Sequence, residues 1–413
     1  MRILQINTVS GTGSVGRIAV DLYRVCEKAG HAPYIAFGRG KPAEKTVSYK
    51  IGNPVDFYQH VLKNFFRGES GFGSEEKTKA FLEWVDQIGP DLIHLHNIHG
   101  FYLNVEMLFS FLKKKNIPVV WTLHDSWPFT GHCAYFDYAE CDKWKTGCES
   151  CPIHRTAYPY AIFKDNSQNS YFRKKQCFQG VKNLVIVTPS KWLGGLVKES
   201  FLKEYPVKVI PNGIDLEKFC PMKEKEKKKI ILGVANVWEA RKGLPYFEKL
   251  ATHLPKGYAI RLVGVSRSQE KKLLRKFPKG EIIPVTRTES IEELAALYNE
   301  ASVYVNATLE DNFPTTNLEA LACGTPVVTF ETGGSPEALN PSCGKVVKKG
   351  SFEKLLAAVE EVLSVVEEQK MHPDKAGYLY SVKACRARAY TFQKEERYGE
   401  YLKLYEQIKK KKS

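Results

Sequence analysis

Residues Leu309 to Val328 read LEDNFPTTNLEALACGTPVV, and their acids, hydroxyls and proline are spaced as a ligand site would need. If Pro314 takes the first helical position, where its missing N–H costs nothing, the turn Asp311-Asn312-Phe313 leads into a helix. The first-turn N–H groups, including those of Thr315 and Thr316, then face an anion, and the two hydroxyls add donors. Glu319 lies three and four residues beyond these threonines, on the same face and leaning back towards the helix start. A carboxylate there repels phosphate but accepts hydrogen bonds from a vicinal diol such as ribose. Phosphate on the backbone and ribose on Glu319 together describe a nucleotide.

Three other clusters have chemistry-bearing types. SGTGSVGR follows a strand-like run and opens a helix, so that Gly13, Ser14 and Gly16 let the backbone approach a ligand; its spacing is not that of a dinucleotide fingerprint, and YIAFGRG lacks the acid that fingerprint requires. HLHNIHGFYLN and WTLHDSWPFTGHC put His96, Asn97, His99, His124 and Asp125 at the carboxyl ends of strand-like runs, where open α/β sheets bind ligands. Cys133, Cys141, Cys148 and Cys151 crowd into a short stretch, a count that would close a tetrahedral structural zinc in a reducing compartment.

The elements that must position these residues alternate in type. RILQIN, APYIAFG, DLIHLH, IPVVWTLH and NLVIVTPS are strand-like and separated by amphipathic stretches, one of them Ser14 to Ala29, which implies a parallel sheet with crossover helices. The pattern breaks at VKVIPNGIDLEKFCP and the charge run KEKEKKK, then restarts with IILGVANV, YAIRLVG, EIIPV, a helix from Ile291 to Asn299, SVYVNA and TPVVTF. A chain of 413 residues with 43% hydrophobic content suffices for two cores. The expected division is 1–205, with a cysteine-rich insertion at about 131–155, then 206–385, and a C-terminal helix over 386–413 crossing back to the first domain and ending in a solvated lysine tail.

The formal charge of +15 favours anionic partners, whether polyanion, lipid headgroup or phosphorylated small molecule. The lysines are dispersed and no base-stacking or zinc-finger pattern occurs, so a nucleic-acid scaffold, the non-enzyme alternative, is the weaker reading. Neither a signal peptide nor an apolar run of membrane-spanning length is present in the sequence, which places the chain in the cytoplasm. FYQHVLKNFFRGE, Phe57 to Glu69, joins aromatic and basic residues and admits peripheral docking on the anionic inner face of the plasma membrane, as well as a helix packed on the sheet.

Asp311 and Glu319, eight positions apart before EALACGTPVV, resemble the signature of the retaining GT-B glycosyltransferases of family 4. PNGIDLEKFCP is similar to that family's interdomain segment, TPSKWL to its last N-domain strand and helix, and ETGGSPE to the loop after the strand holding Val327 and Val328. GVANVWEARKGL resembles its phosphate-contacting loop: Lys242 and Gly243 match, Asn236 stands where an Arg is usual, and Arg241 is placed to supply that charge. Asp311 replaces the commoner Glu, NFP replaces the usual Phe-Gly, and either Glu310 or Asp311 faces the sugar. His96, Asn97 and His99 most resemble the capsule and exopolysaccharide subgroup, including the colanic-acid type.

The resemblance implies two Rossmann-like domains facing across a cleft, the acceptor on the first and a nucleotide-sugar, a UDP- or GDP-sugar, on the second. It implies a retaining, metal-independent hexosyl transfer to a glycan or polyprenyl-linked glycan in cell-surface polysaccharide synthesis. His124 lies beside the transferred sugar, Asp311 or Glu310 positions it, and Arg241 and Lys242 neutralise the leaving group. Donor contacts fall to Glu319, Thr315, Thr316, Asn317, Phe313, Asn236, Gly13, Ser14 and Gly16, and acceptor contacts to His96, Asn97, His99 and Asp125. No cofactor is required for catalysis, and the alternative activities are a sugar-nucleotide epimerase or a phosphorylase of the same fold.

Overall fold

A computed structural model describes residues 1–372 and 377–410. The chain forms two compact units: Met1–Pro211 together with the segment from Glu395, and Asn212–Lys394. Along the first run β1 (Arg2–Val9), α1 (Gly13–Lys28), β2 (Ala32–Arg39), β3 (Ser48–Lys50), α2 (Pro54–Arg67), α3 (Glu75–Ile88), β4 (Leu92–Leu95), α4 (Val105–Lys115), β5 (Val119–Thr122), α5 (Ser167–Phe178), β6 (Leu184–Thr188), α6 (Lys191–Glu199) and β7 (Val207–Val209). Its sheet is parallel, in the order β3-β2-β1-β4-β5-β6-β7. Every residue of β4 and β5 is buried, which is why LIHL and VVWT run without alternation: helices cover both faces.

The second unit contains β8 (Lys228–Val234), α7 (Leu244–Ala251), β9 (Ala259–Val263), α8 (Arg267–Lys276), β10 (Ile282–Val285), α9 (Ile291–Glu300), β11 (Ala301–Asn306), α10 (Thr315–Ala322), β12 (Val327–Phe330), β13 (Gly344–Val347), α11 (Phe352–Met371) and α12 (Val382–Tyr390). Its parallel sheet has the order β10-β9-β8-β11-β12-β13. In each sheet the strand order reverses once, between β1 and β4 and between β8 and β11, which leaves a crevice beyond the carboxyl ends of those strands.

The units divide later than the sequence suggests. β7 pairs with β6, so the first sheet continues past residue 205, and the chain crosses at Pro211. On the return, α12 belongs to the second unit: the Arg386 guanidinium donates to the carbonyls of Leu216, Phe219 and Ala322 at 2.7–2.8 Å. The two crossing segments pair with each other, Ile214 N–H donating to Phe392 and Lys394 N–H to Ile214, and Lys394 bonds Asp215 at 2.5 Å. Only from Glu395 does the chain rejoin the first unit, within α13 (Lys394–Lys410). The lysine tail expected beyond it lies partly outside the described residues. No helix among the described residues is long and apolar enough to cross a membrane.

Tyr398, Tyr401, Leu404, Tyr405 and Ile408 of α13 are buried against Ile3, Leu22, Leu92 and Val120. The Tyr405 hydroxyl also meets Nδ1 of the fully buried His94 at 2.6 Å, and Tyr401 meets Thr122 at 3.2 Å. Removing a buried partner leaves the other unsatisfied, so Tyr405→Phe should lower the unfolding free energy by roughly 1–3 kcal/mol. Chemical denaturation checks this; an unchanged stability would mean that His94 does not depend on α13.

Candidate active site

In the second unit three loops rise from the carboxyl ends of neighbouring strands: residues 235–243 after β8, 307–314 after β11 and 331–334 after β12. Their backbones are locked together. Arg241 carbonyl accepts from Leu309 N–H at 2.7 Å and from the Thr308 hydroxyl, while Thr332 hydroxyl donates to Leu309 carbonyl at 3.0 Å. A Cβ on Gly243 would lie 2.0 Å from the Ala307 carbonyl oxygen, and one on Gly333 would lie 1.7 Å from that of Asp311. Both positions also have positive φ, so glycine is demanded twice over.

This scaffold sets the charges. Lys242 Nζ donates to Asp311 Oδ2 at 2.6 Å, both side chains being partly exposed, which leaves two of the three ammonium N–H groups for a further acceptor. Arg241 is anchored through Nε to Glu239 at 3.1 Å, and Asn236 stands exposed at the start of the same loop. Between the two candidate acids, Asp311 forms the ion pair and Glu310 is buried, at 4% exposure.

α10 starts one residue later than expected. Pro314 is its N-cap with extended backbone and no side-chain cap, so the N–H groups of Thr315 and Thr316 open the helix. The helix ends in a Schellman arrangement, Thr325 N–H to Ala320 carbonyl and Gly324 N–H to Leu321 carbonyl, before β12. Glu319 is buried and accepts from the Tyr298 hydroxyl at 3.0 Å, a partner in α9 with no signal in the sequence. Burial, with the Glu319 carboxylate next to it, pushes the Tyr298 phenol well above its ordinary range, so it stays a donor.

Two expected donor contacts are placed elsewhere. Phe313 packs in the core against Phe392, ring centroids 5.8 Å apart, because the turn before Pro314 points its ring inwards. Asn317 is buried, its Oδ1 accepting from Asn306 Nδ2 at 2.8 Å and its amide donating to Ser335 carbonyl at 3.4 Å; it fastens α10 to β11 and to the segment after β12.

In the first unit, Gly13, Ser14, Gly16, Asn97 and His99 line one cavity of about 240 Å³ at the switch between β1 and β4, joined there by Arg39 and Tyr158. Polar side chains around it form ordered pairs. Gln5 gives its amide N–H to Ala19 carbonyl, so its Oε1 must accept, from His96 Nε2 at 3.0 Å. The neutral His96 ring then accepts at Nδ1 from His124 Nε2, 3.1 Å away. Burial holds His96 well below the ordinary imidazole range and pulls His124 down to about 4, against the opposing Asp125 charge. His124 is therefore a neutral ring with its proton fixed on Nε2.

His99 donates from Nε2 to Asp125 Oδ2 at 2.7 Å and meets the Tyr158 hydroxyl at Nδ1. Burial opposes ionisation of Asp125, but His99 and the Trp127 N–H outweigh it and hold the carboxyl below its usual range. His96 and Asp125 are thus buried supports, while Asn97 and His99 reach the cavity.

Zinc is not indicated at the cysteine cluster. Cys133, Cys141, Cys148 and Cys151 do line a single small cavity, but as free thiols, and among the described residues no group of three or more His, Cys, Asp or Glu stands ready to hold a metal ion. Burial pushes the Cys148 thiol up to about 11 and holds Cys133 well above the ordinary thiol range. The loop is held otherwise: Trp144 packs on Phe129 and Phe136 at 5.3 and 5.0 Å, and buried Lys174 donates to the carbonyls of Trp127 and Thr130.

With this geometry stand the likenesses to known proteins. Residues 15–218 match the family described as Glycosyltransferase Family 4, and residues 228–365 that described as Glycosyl transferases group 1. The chain is 27% identical to the putative colanic acid biosynthesis glycosyl transferase WcaC of Escherichia coli K12, over 99% of this chain and all of that one. Among solved structures it resembles a sucrose-phosphate synthase from Thermosynechococcus elongatus (TM-score 0.73, 17% identity, 98% of both chains). It also resembles Anabaena HepE in complex with UDP (TM-score 0.64, 13% identity, 98% of this chain and all of that one). These two show the fold, α/β with two parallel sheets of the GT-B class.

The histidine chain makes a spectroscopic prediction. Long-range proton–nitrogen correlation of histidine-labelled protein should find His96 and His124 both neutral at pH 6, each protonated on Nε2; a doubly protonated His124 at that pH contradicts the arrangement. Folding excludes protons that an unfolded imidazole binds near 6.5, so stability is present above that value and falls as pH drops towards 4.

Proposed function

Since the chain belongs to the family 4 glycosyltransferases, we propose that it transfers a hexosyl group with retention of anomeric configuration, without a catalytic metal, from a UDP- or GDP-sugar. The proposed acceptor is a glycan or polyprenyl-linked glycan in cytoplasmic assembly of a cell-surface polysaccharide. The relative WcaC supports the pathway class and HepE, bound to UDP, the donor class. The observation that carries the reading is the Lys242–Asp311 pair at 2.6 Å beside the open start of α10, with Glu319 one turn on.

In this reading the diphosphate sits on the Thr315 and Thr316 N–H groups and takes the remaining Lys242 donors, with Arg241 alongside. As the glycosidic bond breaks, negative charge builds on the leaving oxygen, and fixed cations and an oriented helix start stabilise it without reorganising. Asp311, held by Lys242, accepts from hydroxyls of the sugar as it becomes oxocarbenium-like. Glu319, bonded to Tyr298 one turn into α10, is the carboxylate proposed for ribose. His124 of the first unit is a neutral ring and so adds no second positive charge beside an electron-poor sugar.

Turnover should survive EDTA, and proton NMR of the first product should show the donor's anomeric configuration. Lys242→Met should lower kcat/KM by roughly 10²–10³ with the fold intact. Activity abolished by EDTA and restored by manganese, or an inverted product, contradicts the proposal.

A further inference from the structure

α2 is built inside out. Its buried residues are His60 and Asn64, whereas Val55, Tyr58, Leu62 and Phe66 are 63%, 64%, 55% and 52% exposed. Their spacing of three, four and four places them along one face. Phe163, 63% exposed, extends the stripe by stacking on Phe66 with ring centroids 4.9 Å apart.

The exposure is not that of a loose helix. An Asn53–Asp56 capping box starts α2. His60 Nε2 accepts from the N–H groups of Gly71 and Gly73 at 3.2 and 3.1 Å, and its Nδ1 meets Ser74 at 3.0 Å. Asn64 Nδ2 donates to Tyr160 carbonyl at 2.8 Å, and Ile162 N–H donates to Phe65 carbonyl at 3.1 Å, which ties the Phe163 segment to the helix. Buried polar side chains thus fix the orientation that keeps five large apolar ones in water.

The charges beside the stripe say what covers it. The exposed ionic residues flanking Phe66 and Phe163 are Arg67 and Lys164, and no exposed acid occurs in α2. The nearby carboxylates have partners of their own: Asp56 in the capping box, Glu69 and Glu75 with Lys63, and Asp165 with the N–H groups of Cys151 and Ser167. An apolar strip with the exposed cations Arg67 and Lys164 at its Phe66–Phe163 end matches the boundary between acyl chains and anionic headgroups.

We propose that the Val55–Tyr58–Leu62–Phe66–Phe163 face docks the protein on an anionic bilayer, apolar side chains entering the headgroup boundary and Arg67 and Lys164 meeting phosphate. The general charge of +15 gives attraction but not the site. The structure locates it more narrowly than the sequence does, since Phe57 and Phe65 of the same stretch are largely covered and Phe163 comes from elsewhere in the chain.

The test is flotation of the full chain with vesicles of phosphatidylglycerol and phosphatidylcholine in equal parts, against phosphatidylcholine alone. Binding should require phosphatidylglycerol. Leu62→Ser with Phe66→Ser and Phe163→Ser should lower the partition coefficient about tenfold or more at unchanged melting temperature. Arg67→Glu with Lys164→Glu should weaken binding by about tenfold, whereas the same charge change at Lys271 and Lys272 of α8 should not. Equal loss from the α8 pair, full binding by the serine variant, or a lipid-free dimer that the serine variant dissolves would overturn the proposal, the last by assigning the face to a second copy.

Discussion

Two backbone approaches, Gly243 against Ala307 and Gly333 against Asp311, decide where the polar loops of the second unit stand. Neither leaves room for a methyl group, so the loops after β8, β11 and β12 pack backbone against backbone. The Lys242–Asp311 pair inherits its position from the first contact. The acid's backbone is fixed by the second, and α10 starts four residues later, at Thr315. Placing a cation, an acid and a helix start around one point therefore needs little side-chain ordering when a ligand arrives, which is the condition under which electrostatic stabilisation is strongest.

The first unit solves a different problem. His94, His96, His124 and Asp125 lie in or just beyond the buried central strands β4 and β5, where an unmet polar group is costly and a charge costlier. Each has a named partner, and the order of donors and acceptors leaves His96 and His124 as neutral rings with fixed tautomers. The C-terminal helix is part of that solution, since Tyr401 and Tyr405 complete the hydrogen bonds of Thr122 and His94. Chain ends far apart in sequence thus meet under the site-bearing strands.

Much of this was readable from residue order. The alternation of apolar runs and amphipathic stretches yields two parallel sheets, and PTTNLEALACGTPVV yields a helix start, its Glu and its termination. The misses have physical causes. Three residues of β7 carry too little pattern to be assigned to the first sheet, and α12 is fixed by the Arg386 guanidinium bonding carbonyls from distant segments. Phe313 and Asn317 have types that suit a site, but only tertiary packing shows that one fills a core and the other bridges three segments. Tyr298 could not be connected with Glu319 without knowing that α9 and α10 lie together. The cysteine spacing was the least informative signal, because a count of thiols carries no direction for their sulfurs.

The central claim is that a nucleoside diphosphate binds on the three locked loops of the second unit. Hydrogen exchange read by mass spectrometry, with and without saturating UDP or GDP, tests it most directly. Protection should concentrate in residues 235–243, 307–322 and 331–337, including the first-turn amides of α10. Protection confined to the first unit, or absent from the start of α10 while the nucleotide is bound, would contradict the account.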